Sequence, residues 1–212
     1  TQDGKPHPLA TRNVLRNVLD LYAAEGLTPV IAPEMEFDLV SKKIDPDNVL
    51  VPPIGRSGRA ETSRMSYSID AVSEFEDFVE DMYDFAELQE LQVDALIHEN
   101  GAGQMEINFE HGDPLFLADQ VFTFKRTVRE TAHKYGMYAT FMAKPMQSEP
   151  GSAMHIHQSL VRSDSGENIF IDSKGEHKAE FMRYIAGLQR YTPELISLYA
   201  PNVNSYRRLA PD

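Results

Sequence analysis

His98-Glu99-Asn100-Gly101-Ala102-Gly103-Gln104-Met105-Glu106-Ile107-Asn108 is the stretch on which the reading turns. After the glycine-rich turn, Met105, Ile107 and Phe109 alternate with Gln104, Glu106, Asn108 and Glu110. That period of two predicts a strand with one apolar and one polar face. Residues 93–98 predict a second strand before the turn. Glycines let backbone approach a neighbour or ligand closely. Glu99 stands just before the turn and Glu106 just after it, so a compact turn brings two carboxylates together. An ordinary Asn-Gly turn would explain this stretch equally well on its own.

Two other stretches repeat the pattern. In Glu34-Met35-Glu36 the carboxylates share one strand face and Met35 takes the other. Adjacent carboxylates repel, so they need either open solvent or a cation between them. In Gly151-Ser152-Ala153-Met154-His155-Ile156-His157-Gln158-Ser159-Leu160, His155, His157 and Ser159 share a face, with Met154, Ile156 and Leu160 on or beside the other. Three strands side by side would then turn Glu34, Glu36, Glu99, Glu106 and His155 into one hollow. Hard oxygen donors with a single imidazole suit Mg²⁺ or Mn²⁺ held together with phosphate oxygens. The chain has no His-Glu-x-x-His zinc motif, P-loop or Gly-x-Ser-x-Gly elbow, which leaves a phosphate-handling site built on a sheet.

Outward from these strands, the chain reads as α+β: a mostly antiparallel, curved sheet flanked by long helices. Val14, Leu15, Val18, Leu19 and Tyr22 predict a helix over 11–25 stopped by Gly26. A strand follows over 28–40, then a long irregular loop over 41–68 with Pro46, Pro52, Pro53, Gly55 and Gly58. Residues 73–92 predict one acidic amphipathic helix with an apolar stripe of Phe75, Phe78, Val79, Met82, Phe85 and Leu88. Asp113 is placed as the cap of a helix to Tyr135, ended by Gly136. Strands are predicted over 137–144 and 152–161, a turn at Asp164-Ser165-Gly166, and a final helix over 178–198 that breaks or restarts at Pro193.

Composition narrows the class. The 212 residues hold 42% hydrophobic residues and a net charge of −13. Such an acidic chain argues against nucleic acid or an anionic membrane as partner, while metal-screened ATP stays compatible. The absence of cysteine excludes disulfides, thiolate metal sites and cysteine nucleophiles. No membrane span or signal peptide is legible, so a cytoplasmic protein is expected.

Glu34-Met35-Glu36, Glu99 to Glu106, Lys144-Pro145, Gly151 to Ser159 and Asn202-Val203-Asn204-Ser205-Tyr206-Arg207-Arg208-Leu209 together resemble, in order, the successive signatures of glutamine synthetases. Their wording is most similar to the γ-glutamylpolyamine synthetase branch, such as γ-glutamylputrescine synthetases. The resemblance implies the glutamine synthetase catalytic-domain fold and a ligase that phosphorylates the glutamate γ-carboxylate with ATP before an amine displaces phosphate. It implies that Glu36, Glu99 and Glu106 hold a first metal, and Glu34 and His155 a second. His157 and Ser159 would contact nucleotide, the Gly151 backbone the glutamate amine, and Arg208 a substrate carboxylate.

It further implies that 1–212 is a single partial catalytic domain lacking a β-grasp domain before it and further site residues after it, inactive by itself, from a homo-oligomeric ring. Glu149-Pro150 stands where ammonia-using members carry Asp-Asn or Ser-Asn, which points to a larger amine. Plain glutamine synthetase and a non-catalytic scaffold of the same fold are the alternatives.

Overall fold

The computed structural model describes residues 4–43, 47, 49–62 and 65–209. Pro46 of the predicted long loop lies outside the described residues. In chain order the elements are α1 (Thr11–Ala24), β1 (Leu27–Ser41), α2 (Ile69–Ser73), α3 (Glu76–Leu88), β2 (Val93–His98), β3 (Gln104–Phe109), α4 (Pro114–Lys134), β4 (Met137–Thr140), β5 (Met154–Arg162), α5 (Ala179–Tyr199) and α6 (Val203–Arg208). The architecture is α+β with an antiparallel sheet, as the patterning predicts.

β1 organises the sheet. It pairs antiparallel with β3 from Glu34↔Asn108 to Asp38↔Gln104, and with β4 from Asp38↔Thr140 to Ser41↔Met137. β2 and β3 form the predicted hairpin, giving the order β2-β3-β1-β4, with β5 also paired to β1. The predicted strand over 137–144 stops at Thr140. On the N-terminal side of Asp38 the β1 backbone turns to a different neighbour, with Glu36 N–H donating to the Ala153 carbonyl (3.1 Å). β4 therefore runs out of partner.

Packing divides the chain into two compact units. One holds Pro33–Glu110, Gln120–Ile156 and Ser197–Asp212. Its core is the apolar face of the sheet: Met35, Phe37 and Leu39 from β1, with Met105, Ile107 and Phe109 from β3, all buried. On α3, Phe78, Met82 and Ala86 recur every four residues and are buried; Phe124, Val128 and Ala132 do the same on α4. Phe109 meets Phe124 edge-on at 5.4 Å, and the Gln89 side chain ties α3 to Thr127 of α4 (3.0 Å). Each buried Phe, Met, Leu, Ile or Val among them contributes about 1.5–3 kcal/mol by leaving water.

The predicted 73–92 helix is α3, shorter at both ends, and a separate short helix, α2, precedes it. Ser68 caps the short α2, and Phe75, outside the helical region at φ −120°, separates it from α3. Leu88, predicted in the buried stripe, is exposed at the helix end.

The other unit holds Thr1–Ala32, His111–Asp119 and His157–Ile196. Arg12 grips Asp119 with paired bonds of 3.0–3.1 Å, and Phe170 contacts Phe181 and Tyr184. Gly26 ends α1 at φ +69°, as predicted, but α1 buries none of its residues: Val14 and Val18 are exposed and Leu15, Leu19 and Tyr22 half-buried. The predicted Asp113 cap is present, its carboxylate accepting from Phe116 N–H (2.8 Å).

Pro193 does not break the last helix, which runs through it to Tyr199. Proline removes its own N–H, which takes the usual helical donor from the Gln189 carbonyl, and the helix continues across that single missing bond. Among the described residues, no helix is long and apolar enough to cross a membrane.

A carboxylate and imidazole cluster on the sheet

The polar face of the sheet lies opposite the core. β1 contributes Glu34, Glu36 and Asp38, and the register sets these against Asn108, Glu106 and Gln104 of β3. Glu36 thus faces Glu106 directly, an arrangement that like charges resist. Glu99 N–H donates to the Gln104 carbonyl (2.9 Å), which continues the ladder into the turn and puts Glu99 beside the same face. From β5, His155 Nδ1 reaches 3.4 Å from Glu34 and 3.8 Å from Glu36. Donor atoms of Glu34, Glu106 and His155 all fall within 4.8 Å of one another.

The electrostatics show what this crowding costs. Burial first, then the charges of Glu34, Glu99 and Glu36, push the Glu106 carboxyl up to about 7, with His155 pulling the other way. Burial also raises Glu36; the Ala153 backbone, His155 and Arg208 oppose that, while Glu99 adds to it. A group of oxygens and one imidazole nitrogen, this close and short of positive charge, fits a hard divalent cation such as Mg²⁺ or Mn²⁺.

Behind the cluster lies a buried network. Gln104, 1% exposed, accepts at Oε1 from Gly101 N–H (2.9 Å). Its Nε2 donates to the Glu36 carboxylate (2.9 Å), the Gly151 carbonyl (3.1 Å) and Ser152 Oγ (3.2 Å). One neutral amide thus joins the acidic strand, the glycine turn and the segment leading to β5. Ser152 Oγ donates in turn to Asp38 (2.8 Å). Asp38 is wholly buried, and its second oxygen has no hydrogen-bond partner among the described residues. Burial, helped by the charges of Glu36 and Glu149 and opposed by Ser152, pushes Asp38 up to about 7.

Gly151 and Arg208 meet at the far side of this network. Arg208 Nη1 donates to the Ser152 carbonyl (2.7 Å). A Cβ on Gly151 would lie 2.6 Å from both the Ala143 carbonyl and Arg208 Cγ, so glycine is required for the close approach. Arg208 is carried by α6, a helix that its sequence did not announce. Asn202 caps α6 by accepting from Ser205 N–H (3.0 Å). Asn204 bonds both backbone groups of residue 144, accepting from its N–H and donating to its carbonyl, each at 2.8 Å. A cavity of about 1320 Å³ opens here; Glu36, Ser152, His155, Lys125, Arg129 and Arg208 are in its wall.

Of the residues singled out from sequence, Glu34, Glu36, Glu99, Glu106, His155, Gly151 and Arg208 fall in one unit around this network. His157 and Ser159 belong to the other, where Ser159 Oγ accepts from Asn168 (2.8 Å). The sequence reading missed Asp38, although it continues the Glu34, Glu36 row by the same period of two. It also missed the network position of Gln104, whose contacts to Glu36, Gly151 and Ser152 join segments far apart in sequence.

Comparison with known proteins agrees with this geometry. The profile of the glutamine synthetase catalytic domain matches residues 8–212. The chain is 39% identical to γ-glutamylputrescine synthetase PuuA of Escherichia coli (strain K12), over 99% of this chain and 45% of the relative. It is 34% identical to glutamine synthetase of Pyrococcus abyssi (strain GE5 / Orsay), over 99% of this chain and 45% of that relative. It also superposes on the solved GmaS/ADP complex with a TM-score of 0.85 and 28% identity, covering 99% of this chain and 47% of that one. The chain thus spans about half the length of the proteins it matches.

Proposed function

The chain belongs to the glutamine synthetase family through its catalytic domain, and on that premise we propose that it forms part of an ATP-dependent ligase that joins the γ-carboxylate of glutamate to an amine. The observation that carries the reading is the meeting of Glu34, Glu106 and His155 donor atoms within 4.8 Å, backed by Glu36 and Glu99. In this proposal Glu36, Glu99 and Glu106 hold one divalent cation and Glu34 and His155 a second. Divalent cations there would neutralise phosphate oxygens and the charge that develops as a phosphoryl group moves. The Gly151 segment and Arg208 orient glutamate, with the planar guanidinium suited to a carboxylate, and His157 and Ser159 contact nucleotide. The glutamate γ-carboxylate becomes γ-glutamyl phosphate, and the amine displaces phosphate. All of residues 1–212 belong to that one catalytic domain, and the working assembly is a homo-oligomer.

For the acceptor we favour a polyamine over ammonia. The 39% identity to a γ-glutamylputrescine synthetase and the Glu149-Pro150 pair support that choice; the 34% identity to a glutamine synthetase keeps ammonia as the second reading. Phosphate release by the protein carrying this chain, with ATP, glutamate and putrescine, spermidine, simple monoamines or ammonia, tests both. The polyamines should give the largest kcat/KM; ammonia giving the largest would reverse the choice. Mn²⁺ titration of the chain, with Glu36→Ala and His155→Ala as controls, tests the cation site. Equal Mn²⁺ affinity in all three proteins would refute it.

A further inference from the structure

Glu61 lies on residues 49–62, a segment that carries no chemistry in the proposed reaction. Its carboxylate nevertheless reaches the turn that carries Glu99 at both ends. At the far end it accepts from Gly103 N–H at 2.8 Å. At the near end it faces His98 Nε2 at 3.0 Å. His98 is wholly buried, and its other ring nitrogen, Nδ1, lies 2.7 Å from the Glu99 carbonyl oxygen. Glu61, His98 and the Glu99 backbone therefore form one chain of polar contacts, and Gly103 closes it into a loop.

The same segment presses on the turn sterically. Gly103 sits at φ +74°, and a Cβ there would lie 2.6 Å from the Leu39 carbonyl and 2.9 Å from Pro53 Cδ. The segment is itself tied to β1, with Ser41 N–H donating to the Val51 carbonyl (3.0 Å), and folded on itself by Gly55 N–H donating to the Arg59 carbonyl (3.2 Å). A Glu61 carboxylate held on such a frame can fix a turn that glycines would otherwise leave loose.

We propose that Glu61 is a positioning residue of the reaction: by bracketing the Glu99–Gly103 turn through His98 and Gly103, it holds Glu99 where a divalent cation can use it. This rests on the cation-site reading above. Outer partners of metal ligands typically change metal affinity about 10–100-fold when lost. The test is a double-mutant cycle of Glu61→Ala and Glu99→Ala, read by Mn²⁺ affinity from electron paramagnetic resonance, with melting temperature measured alongside.

The expected result is that Glu61→Ala weakens Mn²⁺ about tenfold or more alone, and adds little on the Glu99→Ala background, because its route runs through Glu99. Glu61→Gln, which keeps an oxygen for Gly103 but loses the charge opposite His98, should fold and fall between; it carries the test if the alanine variant unfolds. Unchanged Mn²⁺ affinity in Glu61→Gln and Glu61→Ala, or full additivity with Glu99→Ala, would overturn the proposal. If Glu99→Ala itself leaves Mn²⁺ binding intact, it is the cation-site reading that fails, together with what rests on it.

Discussion

Asp38→Asn should stabilise the metal-free protein, by an amount that grows with pH and is complete above about pH 7. Asp38 is wholly buried and its carboxyl lies at about 7 rather than its ordinary 3.8. The folded value is thus above the unfolded one. Between the two, the folded chain binds the proton more tightly, so stability falls as pH rises through that window and the full penalty is present above it. A rise of about three pH units corresponds to roughly 4 kcal/mol. Asparagine has nearly the same shape and no charge to bury, and its Oδ1 can still accept from Ser152, but its NH2 puts a buried donor where the oxygen has no partner, which returns about 1–3 kcal/mol. The net gain at pH 8 is therefore about 1–3 kcal/mol. For a chain of this size that raises the melting point by about 2–4 °C per kcal/mol. At pH 5 only the part of the penalty between 3.8 and 5 is present, roughly 1.6 kcal/mol, which the cost of the amide offsets, so the gain should vanish. Thermal unfolding of wild type and variant in chelator at both pH values gives the answer. A shift of equal size at pH 5 and pH 8, or a loss confined to pH 8, would refute the electrostatic argument.

Gln104→Met keeps volume but strips Gly101 N–H, the Gly151 carbonyl and Glu36 of a buried partner; urea unfolding should show a loss of roughly 3–6 kcal/mol, and a loss under about 1 kcal/mol would show the network to be dispensable. Gly151→Ala, whose Cβ lands 2.6 Å from Arg208 Cγ, should raise the glutamate KM about tenfold or more while sparing the KM for ATP; equal effects on both substrates would contradict it. Mn²⁺ addition should release protons near pH 6, because Glu106 at about 7 is then largely protonated, and release should fade by pH 8.5. Calorimetry in buffers of different ionisation enthalpy measures this, and pH-independent release would count against it.

The sheet was legible because alternation is a property of the chain itself. Met35, Phe37, Met105 and Ile107 on one face, with Glu34, Glu36 and Glu106 on the other, need no tertiary knowledge to sort. Which strand meets which is a matter of register, and nothing in the residues set Glu36 opposite Glu106 rather than Asn108. The site's supports were harder to read for a related reason. Gln104 acts on Glu36 and Gly151, and Glu61 on His98 and Gly103, across separations that local patterns do not encode. The errors had local causes too. The helix over 73–92 starts later than its apolar spacing predicts because Phe75 continues that spacing while its backbone lies outside the helical region. Pro193 predicts a break because proline lacks an N–H, but in a helix of 21 residues one missing bond does not end the run. α6 was missed because six residues are too few to show a helical period.

The amide of Asn204 occupies the place of a neighbouring strand, reading the main chain at position 144 through both its N–H and its carbonyl. Since the contact ignores the side chain at 144, evolutionary drift there leaves it untouched, while Asn204 has no natural substitute of the same length: aspartate accepts but cannot donate. Deamidation here would need the Ser205 backbone nitrogen, which the Asn202 cap already holds (3.0 Å), so the cap guards the amide. That slow chemistry, which turns the amide into an acid in ageing protein, would otherwise cut one of the two bonds and loosen the helix that carries Arg208.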